Sequence, residues 1–260
     1  AIIGGTRFIP INTLTRLGAS LGRKESHKSK KARRAEMTEV SHILFPDMSA
    51  SDIEAMVDRN WSFIGETMLK IANLKRIALK SQVEIEGLDR LAEFHSNKRP
   101  VIIAFVHLGL WELCALWLAT KKINPFAIYQ APSYPLRANI SRRMRLKAHA
   151  ALFPGSSHLS RQETSGRLLE GAPSATRKVL RGLQAGKTAW FAVDECVAGH
   201  VHGPWFGKHW RREGNLEVVA KFATKTNAVI IPTWCLKTPN GYKLTYSEPI
   251  EPETKTWQDL

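Results

Sequence analysis

The run from Val101 to Ala119 constrains the fold more than any other part of the chain. It reads VIIAFVHLGLWELCALWLA, and Glu112 is its only formally charged residue. A membrane-spanning helix needs about 20 consecutive apolar residues, so the length alone permits a span. The composition favours another interpretation, because a Val- and Ile-rich segment changes at Gly109 to Leu, Ala and Trp at helical spacing. A Glu at bilayer depth would also be costly. We therefore expect a buried strand, a turn and a covering helix.

Apolar strand candidates alternate with helix candidates along the rest of the chain. The predicted strands are Val101–Val106, Phe126–Tyr129, Ala189–Val193, Ala228–Pro232 and Tyr242–Ser247. The predicted helices lie at about 110–120, 136–150, 174–185 and 215–226. This alternation predicts an α/β fold with a mostly parallel central sheet flanked by helices.

The N-terminal part of the chain has a different pattern, which predicts a basic helical extension. Two amphipathic helical pieces cover residues 1–45, and a longer helix follows with a predicted capping box at Ser51 and Glu54. We expect two domains, a helical one over 1–75 and an α/β one over 76–260, packed as one unit. Because the chain starts at Ala1 and stops at Leu260, we also expect a truncated C-terminus, and attachment to a membrane could be peripheral or through an anchor outside this chain.

Charge and cysteine content narrow the class of protein. There are 38 Lys and Arg residues against 23 Asp and Glu, a net charge of +15, which indicates a polyanionic partner. Nucleic acid, an anionic membrane surface and an acidic carrier protein all fit. The three cysteines are scattered without C-x-x-C spacing, so neither a disulfide framework nor a zinc site is predicted.

Polar residues at the ends of two predicted strands are the candidates for chemistry. His107 closes one apolar strand, and Asp194 and Glu195 close another, so all three should reach the same edge of the sheet. Glu112 lies five residues after His107, where a turn can bring its carboxylate onto the imidazole. A carboxylate on one ring nitrogen would make the other nitrogen a general base for a hydroxyl. The alternatives are a core histidine at 107 and a helix cap at 194.

The motif HLGLWE, from His107 to Glu112, resembles the H-x-x-x-x-[D/E] signature of the bacterial lipid A acyltransferases, the lauroyl and myristoyl transferases. The resemblance continues in order along most of the chain. It covers the following segments: LFPDMSASDIEAMVDRNW, VEIEGLDRL, AIYQAPSYPL, GAPSATRKVLRGLQAGKTAWFAVDE, GPWFGK and AVIIPTWCLKTPNGYKLTYSEPI. Leu110 stands where the family usually has Asn, and Gln130 where it usually has Arg.

The resemblance implies an O-acyltransferase that moves a fatty acyl chain from an acyl thioester, on acyl carrier protein or coenzyme A, to a glycolipid hydroxyl. His107 would be the general base and Glu112 the acid that orients it. The candidate contacts to substrate are Gln130, Arg142, Arg143, Arg145, Asp194 and Glu195, and the candidate walls of an acyl pocket are Trp111, Trp205 and Phe206. No metal or resident cofactor is expected, and the pair His200 and His202 lacks further ligands at workable spacing.

The expected location is the cytoplasmic face of a bacterial inner membrane, where the basic run Arg23–Arg34 would meet anionic lipid. The acceptor could be a lipid A precursor, a phosphatidylinositol mannoside or another lipid. Two alternatives remain at this stage. A basic nucleic-acid-binding module fits the charge, although aromatic residues are not interleaved with basic ones on the strands. A lipid-binding relative without chemistry is the other.

Overall fold

A computed structural model describes residues 6–129, 168–170, 173–194, 196–197, 200–201 and 215–252. The predictions for helix 136–150 and for Gln130, Arg142, Arg143, Arg145, Glu195, His202, Trp205 and Phe206 lie outside these residues. Backbone contacts divide the described residues into two compact units, 6–79 and those from 80 onward. In the described ranges, no helix combines the length and the apolar character that crossing a bilayer requires.

The first unit is helical, as its amphipathic patterns predict. A 3-10 turn at Thr6–Phe8 precedes the helices of this unit. They are α1 (Ile11–Lys28), α2 (Lys31–Leu44), α3 (Ala50–Ile71) and α4 (Leu74–Lys80), the last of which ends at the unit boundary. Arg34 joins α2 to α3, because its Nη1 lies 2.6 Å from Oδ1 of Asp58 and its Nη2 pairs with Glu54.

The start of α3 differs from the predicted capping box. Ser49, not Ser51, is the N-cap, and its hydroxyl accepts a hydrogen bond from the backbone N–H of Asp52 at 3.2 Å. Asp52 occupies the acidic position of the cap, since its Oδ2 accepts a hydrogen bond from Ser49 Oγ at 2.6 Å. Ser49 and Ser51 are each followed three residues later by an acidic residue, so both fit a capping box. The sequence pattern does not distinguish between them.

Three glycines bring α1 and α3 into close contact. On α1, Leu14, Gly18, Gly22 and Ser26 form one buried stripe at intervals of four residues. A Cβ at Gly22 would overlap the carbonyl oxygen of Trp61, and a Cβ at Gly65 would overlap that of Gly18. The backbones of α1 and α3 are therefore in contact at these glycines. The other faces of α1 point away from α3.

The second unit contains the α/β domain, and its fold class is confirmed. Its sheet has the strand order β1-β9-β8-β2-β5-β3-β4, and a two-stranded ribbon pairs β6 with β7. The strands are β1 (Gln82–Glu86), β2 (Val101–Phe105), β3 (Phe126–Tyr129), β4 (Leu168–Glu170), β5 (Thr188–Ala192), β6 (Cys196–Val197), β7 (His200–Val201), β8 (Val229–Thr238) and β9 (Gly241–Tyr246). All five predicted strands are present. Strands β8, β2, β5, β3 and β4 run parallel, and β9 pairs antiparallel with β8.

Helices between the strands cover the sheet and provide the crossovers that parallel strands require. They are α5 (Leu88–Ser96), α6 (Glu112–Thr120), α7 (Pro173–Gln184) and α8 (Asn215–Thr226). Every residue of β2 and β5 is buried, as the continuous apolar runs predict for strands covered on both faces. The run from Val101 to Ala119 is thus β2, a turn and α6.

Candidate active site

His107 lies directly beyond the carboxyl end of β2, in the turn that leads to α6. Gly109 gives this turn its shape: its φ is +62°, and a Cβ there would overlap the carbonyl oxygen of Cys235 on β8. Only glycine meets both conditions without strain. The backbone N–H of Leu108 donates to the carbonyl of Val106 at 2.8 Å, which tightens the chain around His107. The turn therefore holds His107 at the sheet edge where open α/β sheets form ligand crevices.

Asp194 occupies the matching position beyond β5, the strand next to β2. The two strands are parallel and in register, with Phe105 opposite Ala192. The ladder continues one step further, because the N–H of Val193 donates to the carbonyl of Phe105 at 2.9 Å. Two residues beyond this register, His107 and Asp194 face each other across the ends of the strands.

Both oxygens of the Asp194 carboxylate are within hydrogen-bond distance of His107. Oδ1 lies 2.7 Å from His107 Nδ1, and Oδ2 accepts the backbone N–H of His107 at 2.6 Å. Because an ionised carboxylate can only accept hydrogen bonds, the ring proton must sit on Nδ1. In the neutral imidazole, Nε2 then carries a free lone pair. Both side chains are about 30% exposed, so the pair is within reach of a bound substrate.

The sequence predicts Glu112 as the acid that orients His107, and this role stays a prediction, while the structure places Asp194 at Nδ1. Glu112 is the first residue of α6, and it is only 8% exposed. Its carboxylate stands at the positive end of the helix dipole, which favours negative charge. The five-residue spacing placed the acid correctly at the start of the helix, but Asp194 makes the contact that fixes the tautomer.

Aromatic rings contact the imidazole of His107 from two elements. The Trp111 ring centroid lies 4.8 Å away at an interplanar angle of 81°, and the Phe105 centroid lies 5.2 Å away at 64°. Trp111 is half-buried, and its indole Nε1 is buried without a hydrogen-bond partner among the described residues. Trp111, predicted as an acyl-pocket wall, therefore lies against the histidine itself.

A comparison with protein families identifies the class of enzyme. The family model described as bacterial lipid A biosynthesis acyltransferase matches residues 1–259, nearly the whole chain. The chain belongs to this acyltransferase family. A search of the curated proteins gave no match. The family match supports an acyltransferase, and the His107–Asp194 pair is its candidate catalytic site in the described residues.

The buried groups behind the turn are not alternative nucleophiles for this acyltransferase. Burial raises the pKa of the Cys235 thiol to about 12, against the opposing effect of a hydrogen bond from the Leu110 backbone. Burial also raises the pKa of Cys114 well above its ordinary value, with smaller contributions from Cys235 and Glu112. A thiol that stays protonated is a poor nucleophile. Within the part of the chain that the structure describes, no group of three or more His, Cys, Asp or Glu could hold a metal ion.

Proposed function

We propose that this acyltransferase moves a fatty acyl chain from an acyl thioester to the hydroxyl of a glycolipid, with His107 as general base and Asp194 as its orienting acid. The observation that carries the proposal is the two-point contact between the Asp194 carboxylate and the Nδ1 and backbone N–H of His107. It leaves Nε2 as the basic nitrogen at the sheet edge. The structure thereby supports a base that is prepared before substrate binds.

The proposed reaction proceeds by direct transfer. Nε2 of His107 takes the proton of the acceptor hydroxyl as that oxygen attacks the thioester carbonyl. The tetrahedral intermediate then collapses, the C–S bond breaks, and the imidazolium returns the proton to the departing thiolate. Asp194 stabilises the imidazolium between these two steps, as the carboxylate does in catalytic triads. No resident cofactor is needed, because the thioester itself supplies the activated acyl group.

A basic helix face supports an anionic acyl donor, either acyl carrier protein or coenzyme A. From Pro173 to Lys187, across α7 and the turn after it, the sequence contains no Asp or Glu. Arg177, Lys178 and Arg181 on α7 are exposed to solvent. Acidic carrier proteins and the phosphates of coenzyme A both complement such a surface.

The first unit offers a different basic surface, which supports attachment to an anionic membrane. Phe8, Leu17 and Leu21 are 81%, 44% and 48% exposed. Leu17 and Leu21 lie on one side of α1, and Lys24 and Lys28 lie on the same side. Apolar side chains beside basic ones are typical of helices that lie in a membrane interface. Each basic residue near an anionic membrane contributes about 1 kcal/mol to binding. We propose that this surface holds the protein on the cytoplasmic face of the inner membrane.

We propose a lipid A precursor as the acceptor, because the family is defined by lipid A biosynthesis. A phosphatidylinositol mannoside or another glycolipid would use the same base and the same proton transfers. Gln130, Glu195 and the arginines Arg142, Arg143 and Arg145 remain predictions for its binding. Trp205 and Phe206 remain predictions for the acyl pocket.

The base is tested by the substitution His107→Gln, measured as transfer of a radiolabelled acyl chain to lipid extracted from bacterial membranes. We expect a loss of about 100-fold or more, the usual contribution of a general base. His95→Gln is the matched control, since His95 lies in the same unit and bonds Thr188 Oγ1 at 3.1 Å. The control should keep its activity and both variants should keep the wild-type thermal transition. Activity retained in folded His107→Gln would overturn the proposed function.

Membrane attachment is tested by flotation with vesicles that contain anionic phospholipid. The double substitution Leu17→Ser and Leu21→Ser should reduce the bound fraction, and added salt should reduce it further. Leu236→Ser on β8 removes a similarly exposed leucine from the second unit and is the control. Equal binding by the wild type and the double variant would contradict this part of the proposal.

A further inference from the structure

We infer that Trp111 is a positioning residue for the His107 base, which deepens the proposed function and rests on it. The inference starts from the contact between the two rings, whose centroids are 4.8 Å apart at 81°. This is an edge-to-face arrangement, the geometry that aromatic pairs prefer. Two rings that meet in this way restrict each other's rotation, so Trp111 limits the orientations open to Nε2.

The aromatic contact complements the hydrogen bond from Asp194. Asp194 fixes Nδ1 and hence the tautomer, but it touches one side of the imidazole only. Trp111 and Phe105 close off other directions, and Phe105 is itself held against Trp190 with centroids 4.7 Å apart. Phe105 comes from β2 and Trp111 from the beginning of α6, so two elements together set the angle of the imidazole.

The local sequence around Trp111 indicates that its side chain serves the site rather than the helix. Trp111 is the N-cap residue of α6, and its side chain makes no capping hydrogen bond. Ser, Thr, Asp or Asn would accept a hydrogen bond from the first turn, and Trp cannot. The ring of Trp111 therefore contributes no hydrogen bond to the start of α6, whereas it does contact His107.

The indole N–H of Trp111 makes phenylalanine a useful replacement. Buried Trp N–H groups usually find a hydrogen-bond partner, because leaving one unpaired is unfavourable. In the part of the chain that the structure describes, Trp111 Nε1 has none. Phe would remove the unpaired donor and keep a ring against His107, which makes Trp111→Phe an informative variant.

The experiment separates positioning from the alternative role of an acyl-pocket wall. Trp111→Leu should lower kcat by about tenfold to 100-fold with little change in the KM of either substrate, as expected when a reacting group is misplaced. Trp111→Phe should recover most of the lost kcat. A rise in KM that grows with acyl-chain length, at unchanged kcat, would overturn the inference and assign Trp111 to the acyl pocket.

Trp117→Leu is the matched control. Trp117 lies on the same helix, is also half-buried, and also has a buried indole N–H without a partner in the described residues. It should lose thermal stability as Trp111→Leu does and keep kcat in the folded state. An equal fall of kcat in both variants would show a structural effect and overturn the inference. Activity in His107→Gln would remove the proposed function and this inference together, whereas wild-type kcat in Trp111→Leu removes the inference alone.

Discussion

The two compact units both place glycines directly against backbone, but the close approach serves different ends. In the first unit, Gly22 and Gly65 let two helices touch along their length. In the second, Gly109 lets a single turn rest on the carbonyl of Cys235. The glycines of the helix pair hold two helices together. The turn sets the position of one reactive side chain.

The two units differ in how precisely their side chains must be placed for the proposed function. Attachment to a membrane, as proposed for α1, depends on summed charge and apolar area, which change little when a helix moves slightly. Proton transfer depends on a base placed within hydrogen-bond reach of the reacting oxygen. Substitution of Gly109 in the second unit should therefore mainly lower activity. Substitution of Gly22 in the first unit should mainly lower stability.

Among the glycine substitutions the largest effect is expected for Gly109→Ala, because alanine there would have a positive φ and a Cβ that overlaps the carbonyl oxygen of Cys235. The turn must shift and move His107, and a displacement of about 1 Å can cost roughly 100-fold in rate. Acyl transfer by the folded variant measures this loss.

Gly186→Ala is the control for this prediction. Gly186 also has a positive φ, +70°, and a Cβ there would overlap the carbonyl of Lys98, but it lies in the turn between α7 and β5. It should be destabilised to a similar degree and keep its kcat at temperatures where it is folded. Equal kcat for the two variants would mean that the turn does not position the base.

A smaller effect is expected for Gly22→Ala in the first unit. The new Cβ would meet the carbonyl of Trp61, and overpacking of this kind costs about 1–3 kcal/mol of unfolding free energy. Urea unfolding measures the change, with Ser20→Ala on an exposed face of α1 as control. If Gly22→Ala is as stable as Ser20→Ala, the close packing of α1 on α3 does not contribute to stability.

The smallest effect concerns alkaline pH and the groups buried behind the turn. Burial raises the pKa of Cys235 from 9.0 to about 12, so the folded protein holds this proton where the unfolded chain has lost it. The stabilisation is complete below pH 9 and disappears as the pH rises towards 12. Tyr246 adds to the trend, since burial raises its pKa as well.

The pH effect is measured as the free energy of unfolding from about pH 8 to about pH 12, which spans the ordinary and the raised pKa of Cys235. The wild type should lose stability across this interval, and Cys235→Ala should lose less. An identical slope in the two proteins would contradict the raised pKa of Cys235.

The sequence predicts much of the fold because its strongest signals are local. Continuous apolar runs identified β2 and β5, and the change of period at Gly109 identified the turn. Pro232 is an unreliable local signal: the sequence predicts the end of a strand there, whereas β8 continues to Thr238. Pairing explains the difference, since β8 pairs with β2 up to Thr233 and with β9 from Thr233 onward, so Pro232 stands where the ladder changes neighbours.

The candidate site was predicted only in part because its key contact is not local. His107 and Asp194 are 87 residues apart, and strand order decides whether they meet. The sequence put both residues at the carboxyl edge of the sheet but could not show that β5 lies beside β2. Sequence proximity favours Glu112 as the partner, whereas the strand register adds the contact of Asp194 at Nδ1, which the sequence does not predict.

Asp194→Asn provides the most direct test of the His107–Asp194 pair, measured as kcat and KM for acyl transfer. Asparagine keeps the size of the side chain and removes its charge, so the imidazolium loses its counter-ion. The carboxylate can only accept a hydrogen bond from Nδ1, whereas the amide can also donate one, so the tautomer is no longer fixed. We expect kcat to fall by about 100-fold or more with little change in KM, as for the orienting carboxylate of catalytic triads. Asp89→Asn removes an exposed carboxylate that pairs with Lys121 at 2.6 Å, and it should leave kcat unchanged. An unchanged kcat in folded Asp194→Asn would contradict the account.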